Sequence, residues 1–233
     1  MIIGISGKIG SGKDTIGSII QYLTDENVKG MTYEDWYAAN VYSVYQNYGK
    51  WNIKKFAGKL KEIASLLTGI PVEMFEDQEF KQSFILGEEW GTVRPNPLNV
   101  VPVFEDVQFN ELMSVRELLQ KLGTEVMRDG LHTNVWVNAL FADYKRPKMS
   151  EHNPSNWIIT DMRFPNELAA VNDVNGLTIR VVRPQIETAN FKPQHASETS
   201  LDSAEFDYTI VNDSTIEELV KKVREILEKE KII

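Results

Sequence analysis

Lys13 closes the run Gly7-Lys8-Ile9-Gly10-Ser11-Gly12-Lys13: a glycine, four residues, a second glycine and a lysine. Residues of these types at this spacing bind phosphate when a strand precedes them and a helix follows. The glycines let backbone N–H groups turn inward around an anion, and a helix starting beyond them adds the positive end of its dipole. Lys13 brings a point charge to transferable phosphates. Ile2 to Ser6 is an apolar run that reads as a buried strand, and Thr15 to Leu23 is amphipathic and reads as a helix. A tight strand-to-helix turn would use the glycines for geometry alone. Spacing and context together favour binding of a nucleoside triphosphate through Gly7, Lys8, Gly10, Ser11, Gly12 and Lys13.

The residue after the lysine departs from the usual pattern. A Ser or Thr normally stands there, with its hydroxyl on Mg²⁺; here it is Asp14, with Thr15 next. A carboxylate is a good hard ligand for Mg²⁺, and a negative charge is also favoured in a first helical turn. The ligand therefore stays open between Asp14 and Thr15.

Further candidates fall at the ends of apolar runs. Trp157-Ile158-Ile159-Thr160-Asp161 ends in an acid that would face the Mg²⁺ site if this strand lies beside the first one. An acid also closes strands for turn reasons alone. Arg163 follows two residues later, at the carboxyl edge where ligands bind in parallel α/β sheets. Leu177 to Val182 delivers Arg183, and Tyr208 to Val211 delivers Asn212. Arg116 and Gln120 lie four apart on one helix face. Lys59 and Lys61 project from the start of another helix, within reach of a substrate phosphate or simply solvated.

The elements that position these residues follow from periodicity. Asn52 to Phe56 reads as a second strand and Ala57 to Leu67 as a helix, with Leu60, Ile63, Ala64 and Leu67 in register. Ser114 with Glu117 forms a capping box that opens a helix through Val126, and a further helix is expected from Thr133 to Tyr144. Leu168 to Val174 reads as a helix, and Ser214 with Glu217 as a second capping box before the last amphipathic helix. Residues 31 to 52 are rich in aromatics (Trp36, Tyr37, Tyr42, Tyr45, Tyr48, Trp51), whose ordinary use is packing, with stacking on a base as the alternative. Residues 70 to 110 are broken by Pro71, Pro95, Pro97 and Pro102 and read as an insertion. Residues 185 to 206 are polar, with Lys192, His195, Glu198 and Asp202, a composition suited to a lid. Strands alternating with helices give a parallel α/β sheet with its sites at the strands' carboxyl ends.

The bulk composition is compatible with this. The chain has 233 residues, 42% apolar and 25% charged, which suits one globular domain with insertions. No window approaches the ~18 apolar residues of a membrane span. The first residues belong to the expected strand, leaving no room for a signal peptide. The absence of cysteine removes disulfides and thiolate metal sites and fits a cytoplasmic setting. A net charge of −9 argues against a broad nucleic-acid surface and suits a small phosphorylated substrate.

These stretches, taken in order, resemble the phage-type deoxynucleoside monophosphate kinases within the P-loop nucleotide kinases. The matching residues run from Ser6-Gly7 to Asp14-Thr15, then Ser114-Val115-Arg116, Leu119-Gln120, Leu122-Gly123-Thr124 and Trp136. They continue with Asp161-Met162-Arg163, Val181 to Pro184, His195 with Glu198, Asn212-Asp213-Ser214 and Glu217-Glu218-Leu219. The resemblance covers about two thirds of the chain and leaves residues 31 to 52 and 70 to 110 unmatched. It implies a three-layer α/β/α P-loop NTPase fold with a central five-stranded parallel sheet, an NMP-binding region and a lid at about 184 to 206. It implies transfer of the γ-phosphate of ATP, with Mg²⁺, to a deoxynucleoside monophosphate (dNMP). Lys13, Arg163 and Arg183 would be catalytic and Asn212 would line the adenine pocket. Lys61, Arg116, Gln120, Asp161 and Arg163 would bind substrate, and Asp14, Thr15 and Asp161 would serve the metal. A homodimer is expected by analogy. The lid segment lacks arginine, so Arg183 at its root or another segment must supply that charge.

Two rival readings share the phosphate loop. One is a kinase for another small acceptor such as dephospho-coenzyme A. The other is an ATP-dependent switch or ATPase, in which Arg94 or Arg146 would serve a neighbour's site. No Asn-Lys-x-Asp guanine motif is present.

Overall fold

The computed structural model describes residues 1–28, 30–40, 51–86, 93–95, 113–142, 144, 156–187 and 196–233. Tyr42, Tyr45, Tyr48, Pro97, Pro102, Arg146, Lys192 and His195, named above, lie outside them. Two compact units form, one from Met1–Phe56 with Phe141–Ile233 and one from Ala57–Leu140.

The first unit is built on β1 (Ile2–Ser6), β2 (Trp51–Lys54), β6 (Asn156–Met162), β7 (Leu177–Val182) and β8 (Tyr208–Val211). They form one sheet in the order β2-β6-β1-β7-β8, with every pairing parallel. All five residues of β1 are buried, as the central strand of a sheet covered on both sides must be. Ile3 and Ile5 face a core shared with α1 (Lys13–Thr24), α2 (Tyr33–Asn40) and the last helix, α8 (Ile216–Lys229). Gly4 points to the opposite face, where a Cβ would stand 3.2 Å from Val171 of α7 (Pro165–Asn172). The result is the expected three-layer α/β/α arrangement.

The aromatics that fall in described residues pack. Trp36 is 1% exposed, its ring centroid lies 5.7 Å from Tyr22 and 6.4 Å from Tyr33, and its Nε1–H donates to Asp25 Oδ2 at 2.9 Å. Trp51 is buried as well. Trp36→Ala should lower unfolding free energy by about 3–5 kcal/mol, the usual loss for a buried tryptophan, read as a shift in urea midpoint at unchanged slope.

The second unit holds α3 (Gly58–Thr68), a short 3₁₀ turn (Val72–Phe75), α4 (Gln78–Ser83), β3 (Phe84–Leu86), β4 (Val93–Pro95), β5 (Met113–Ser114), α5 (Val115–Gln120) and most of α6 (Val135–Phe141). β3, β4 and β5 make a small antiparallel sheet in the order β4-β3-β5. The stretch expected to be irregular thus contributes two strands, and Pro95, which has no N–H to give a ladder, sits on the edge strand. The capping box at Ser114 forms as expected: Glu117 N–H donates to Ser114 Oγ at 3.1 Å, and Ser114 N–H to Glu117 Oε2 at 2.7 Å. Beyond Gln120 the helix widens over Lys121–Asp129 into a π-helical stretch. The His132 N–H donates to Met127 O at 3.0 Å, and Trp136 Nε1–H to Gly123 O at 2.8 Å.

Some element limits move. β2 begins and ends earlier than expected, and α7 begins at Pro165, a residue pre-set for the first helical position. The last helix is capped by Thr215, whose Oγ1 accepts the Glu218 N–H at 3.4 Å, not by Ser214. Both pairs have the capping spacing. The helix runs from Ile216 and buries Leu219, Val223, Ile226 and Leu227.

Candidate active site

The site is assembled at the carboxyl ends of β6, β1, β7 and β8. After Ser6 the chain turns through the glycines into α1, whose first residue is Lys13. Gly12 has φ +100°, a left-handed conformation, and a Cβ there would stand 2.5 Å from Asn212 Nδ2. That amide donates to Ser11 O at 2.8 Å, so the end of β8 clasps the loop from outside. The Asn212 N–H is itself fixed on Val182 O at 2.8 Å. On the other side of the loop, Arg183 Nη1 donates to Gly10 O at 3.3 Å.

Lys13 folds back into the loop. Its Nζ donates to Gly7 O at 2.7 Å and to Lys8 O at 2.8 Å, and the residue is 9% exposed. Burial is the main reason its pKa falls to about 8, with Arg163 adding to the fall and Glu198, Asp14 and Asp161 opposing it. The folded protein therefore sheds this proton near pH 8, whereas the unfolded chain holds it to about 10.5. Burial of the charged lysine opposes folding fully below pH 8, and that penalty is relieved as pH rises toward 10.5. Phosphate needs the charged form. A phosphate bound at this loop should therefore be held less tightly above about pH 8, by up to about tenfold per pH unit. Binding should take up a proton there, measurable by calorimetry in buffers of different ionisation enthalpy.

β6 supplies the next group. Asp161 Oδ1 accepts the Phe56 N–H at 2.8 Å, which ties the segment after β2 to the end of β6. Thr160 Oγ1 donates to Asp14 Oδ1 at 2.6 Å, and Lys55 Nζ lies 3.5 Å from the same oxygen. The Thr160 hydroxyl thus orients the carboxylate of Asp14 from the neighbouring strand. Asp14, Thr15 and Asp161 offer carboxylate and hydroxyl oxygens, the donor type Mg²⁺ takes, and Asp14 keeps a half-exposed carboxylate. Among the described residues no three His, Cys, Asp or Glu gather as a metal cage. Such a donor set suits an ion that takes one or two protein carboxylates and completes its shell with phosphates and water.

Arg163 is held at both its ends. Its backbone N–H and that of Phe164 donate to the buried carboxylate of Glu167, at 2.7 and 3.1 Å. Its guanidinium pairs with Glu198 and lies 3.4 Å from Ser197 Oγ. The Glu198 Oε2 also accepts the Ile9 N–H of the phosphate loop at 3.1 Å. The first unit therefore brings together the loop, Asp14, Asp161, Arg163, Arg183 and Asn212. Sequence reasoning passed over Lys55, Thr160 and Glu167. Pro165 followed by Glu167 was a legible helix-start signal; Thr160 carried none, because its partner is in α1.

Four further candidates belong to the second unit. Lys61 is buried and paired with Glu76, so it is not a solvated lysine, whereas Lys59 is exposed and pairs with Glu62 on the helix surface at 3.1 Å. Arg116 Nη2 donates to Gln78 Oε1 at 2.9 Å, and Gln120 is the last residue of α5, where the helix widens. Among the described residues no helix is long and apolar enough to cross a membrane.

Residues 77–223 match the family model described as deoxynucleotide monophosphate kinase. The deoxynucleoside-5'-monophosphate kinase of Escherichia phage T5 is 28% identical over 229 residues, covering 91% of this chain and 89% of its own. The deoxynucleotide monophosphate kinase of Enterobacteria phage T4 is 26% identical over 251 aligned residues, covering 97% and 98%. That of Escherichia phage RB69 is 30% identical over 118 residues, about half of each chain. A family match over residues 77–223, more than half of the chain, shows that this chain belongs to the deoxynucleotide monophosphate kinase family.

Proposed function

We propose that this chain transfers the γ-phosphate of ATP to a deoxynucleoside 5'-monophosphate, giving dNDP and ADP, in the cytoplasm. The observation that carries the reading is that two cations of different elements come to one loop: Lys13 Nζ rests on the carbonyls of Gly7 and Lys8, and Arg163 reaches the Ile9 amide through Glu198. Phosphoryl transfer asks the protein for positioning and for charge around a loose transition state, and little else.

In this reading Lys13 swings from the carbonyls of Gly7 and Lys8 to the β- and γ-phosphates of ATP, while the loop amides hold the remaining oxygens. Arg163 takes the transferred phosphoryl group in a bidentate grip, and Arg183 supplies charge at the root of the lid. Asn212 keeps the loop in shape beside the adenine. Arg116 and Lys61 hold the acceptor phosphate and Gln120 a base edge. Asp14, Thr15 and Asp161 would hold Mg²⁺, which supplies neutralisation of the developing charge. The acceptor phosphate oxygen is already anionic near pH 7 and attacks the γ-phosphorus without a general base, and ADP leaves.

The test is ADP release from Mg-ATP against a panel of deoxy- and ribonucleoside monophosphates and dephospho-coenzyme A. Stimulation by one or more dNMPs above an almost idle rate with ATP alone is expected. Steady hydrolysis of ATP alone, with no stimulation by any monophosphate, would contradict the proposal.

A further inference from the structure

Glu198 stands where the site wants an anion. Its side chain is 14% exposed. Oε2 accepts the loop amide of Ile9 at 3.1 Å and Oε1 pairs with Arg163 Nη1. A loop amide together with an arginine is the donor pair that a phosphate oxygen takes. The chain after Glu198 is pinned, not loose. Leu201 is buried, and Asp202 Oδ1 accepts from Arg180 Nη2 at 2.8 Å. Arg180 also lies 5.8 Å from the Phe206 ring and 3.3 Å from Ser6 Oγ, at the residue where β1 passes into the phosphate loop. Glu198 is therefore delivered to these donors by the fold. A carboxylate and a phosphate cannot both keep them, since like charges a few ångströms apart repel strongly in a partly buried site.

We propose that Glu198 is an internal stand-in for a nucleotide phosphate. It holds Arg163 and the Ile9 amide in place in the free protein and is displaced when the terminal phosphate of the nucleotide takes both. The inference rests on the phosphate loop being the nucleotide site. It makes Glu198 a positioning residue that sets nucleotide affinity, because every binding event must first break its contacts. A terminal phosphate carries about two charges to the carboxylate's one, so the nucleotide wins the exchange, but more weakly than it would at a site without a competitor.

The experiment is the Kd for Mg-ATP in the absence of acceptor, by calorimetry, for the wild-type chain, Glu198→Gln and Glu198→Ala, with melting temperatures alongside. Both variants should bind about tenfold more tightly, the equivalent of one charge-assisted contact no longer to be broken. A residue that merely supported the fold would give unchanged or weaker binding, and that result overturns the proposal. A second measurement needs no variant: saturating Mg-ATP should increase deuterium uptake in residues 196–202 of the wild-type chain, and a decrease would overturn the displacement. If the wild-type chain binds Mg-ATP and neither effect appears, the stand-in alone fails. If it does not bind Mg-ATP, the phosphate-loop reading fails with it.

Discussion

Lys13→Ala should lower kcat/KM for ATP by about a thousandfold, the scale on which losing one preorganised charge at a phosphoryl or oxyanion site is felt. The fold should survive the change. In the free protein Lys13 is a buried cation whose pKa is held down to about 8, chiefly by burial, so removing it relieves a desolvation penalty while giving up hydrogen bonds to Gly7 O and Lys8 O. Those losses run in opposite directions and should leave the melting temperature within a few degrees. Steady-state rates with a saturating dNMP, set beside a thermal melt, check both halves. A variant as active as wild type would remove Lys13 from the mechanism.

Gly12→Ala should be comparably severe by a different route. Two effects add at this position. The backbone φ of +100° is one that side-chain-bearing residues rarely adopt, and the new Cβ would stand 2.5 Å from Asn212 Nδ2. Asn212 cannot simply withdraw, since its amide is what holds Ser11 O and its own N–H is fixed on Val182 O. Relief must come from the loop backbone, which is the part that has to match a triphosphate. We expect at least a hundredfold loss in Mg-ATP affinity, because a displacement of about 1 Å is enough to cost that much, and a destabilisation of about 2 kcal/mol from strain. Adding Asn212→Gly should remove the collision and recover part of the affinity, leaving the φ penalty; no recovery would show that the contact is not what constrains the loop.

How much of this was legible before the structure depends on how local each signal is. β1, β7 and β8 announce themselves as short apolar runs, and the phosphate loop as a fixed spacing of glycine and lysine, so their limits agree closely with Ile2–Ser6, Leu177–Val182 and Tyr208–Val211. The convergence of Asp161, Arg163, Arg183 and Asn212 also followed, because a parallel sheet puts all its strand ends on one edge. The small antiparallel sheet did not, since strands of three, three and two residues are too short to show an alternation. The supports of the site were hidden for a related reason. Thr160 meets Asp14 across 146 residues, and Glu198 meets Arg163 across 35. Neither pairing leaves a periodic trace, and Glu198 was visible as one acid in a polar stretch and as part of the family resemblance, with no partner attached to it. The cap of the final helix shows the limit of local rules: two overlapping Ser/Thr–Glu pairs satisfied the same spacing, and Thr215 is the one that caps.

The central claim is a transfer, so the most direct test follows the phosphorus atom. The chain is incubated with γ-labelled ATP, Mg²⁺ and each dNMP in turn, and the products are separated. The label should appear in dNDP, in step with ADP, and Arg163→Ala should suppress both together. Label recovered only as inorganic phosphate, at a rate indifferent to the dNMP, would contradict it.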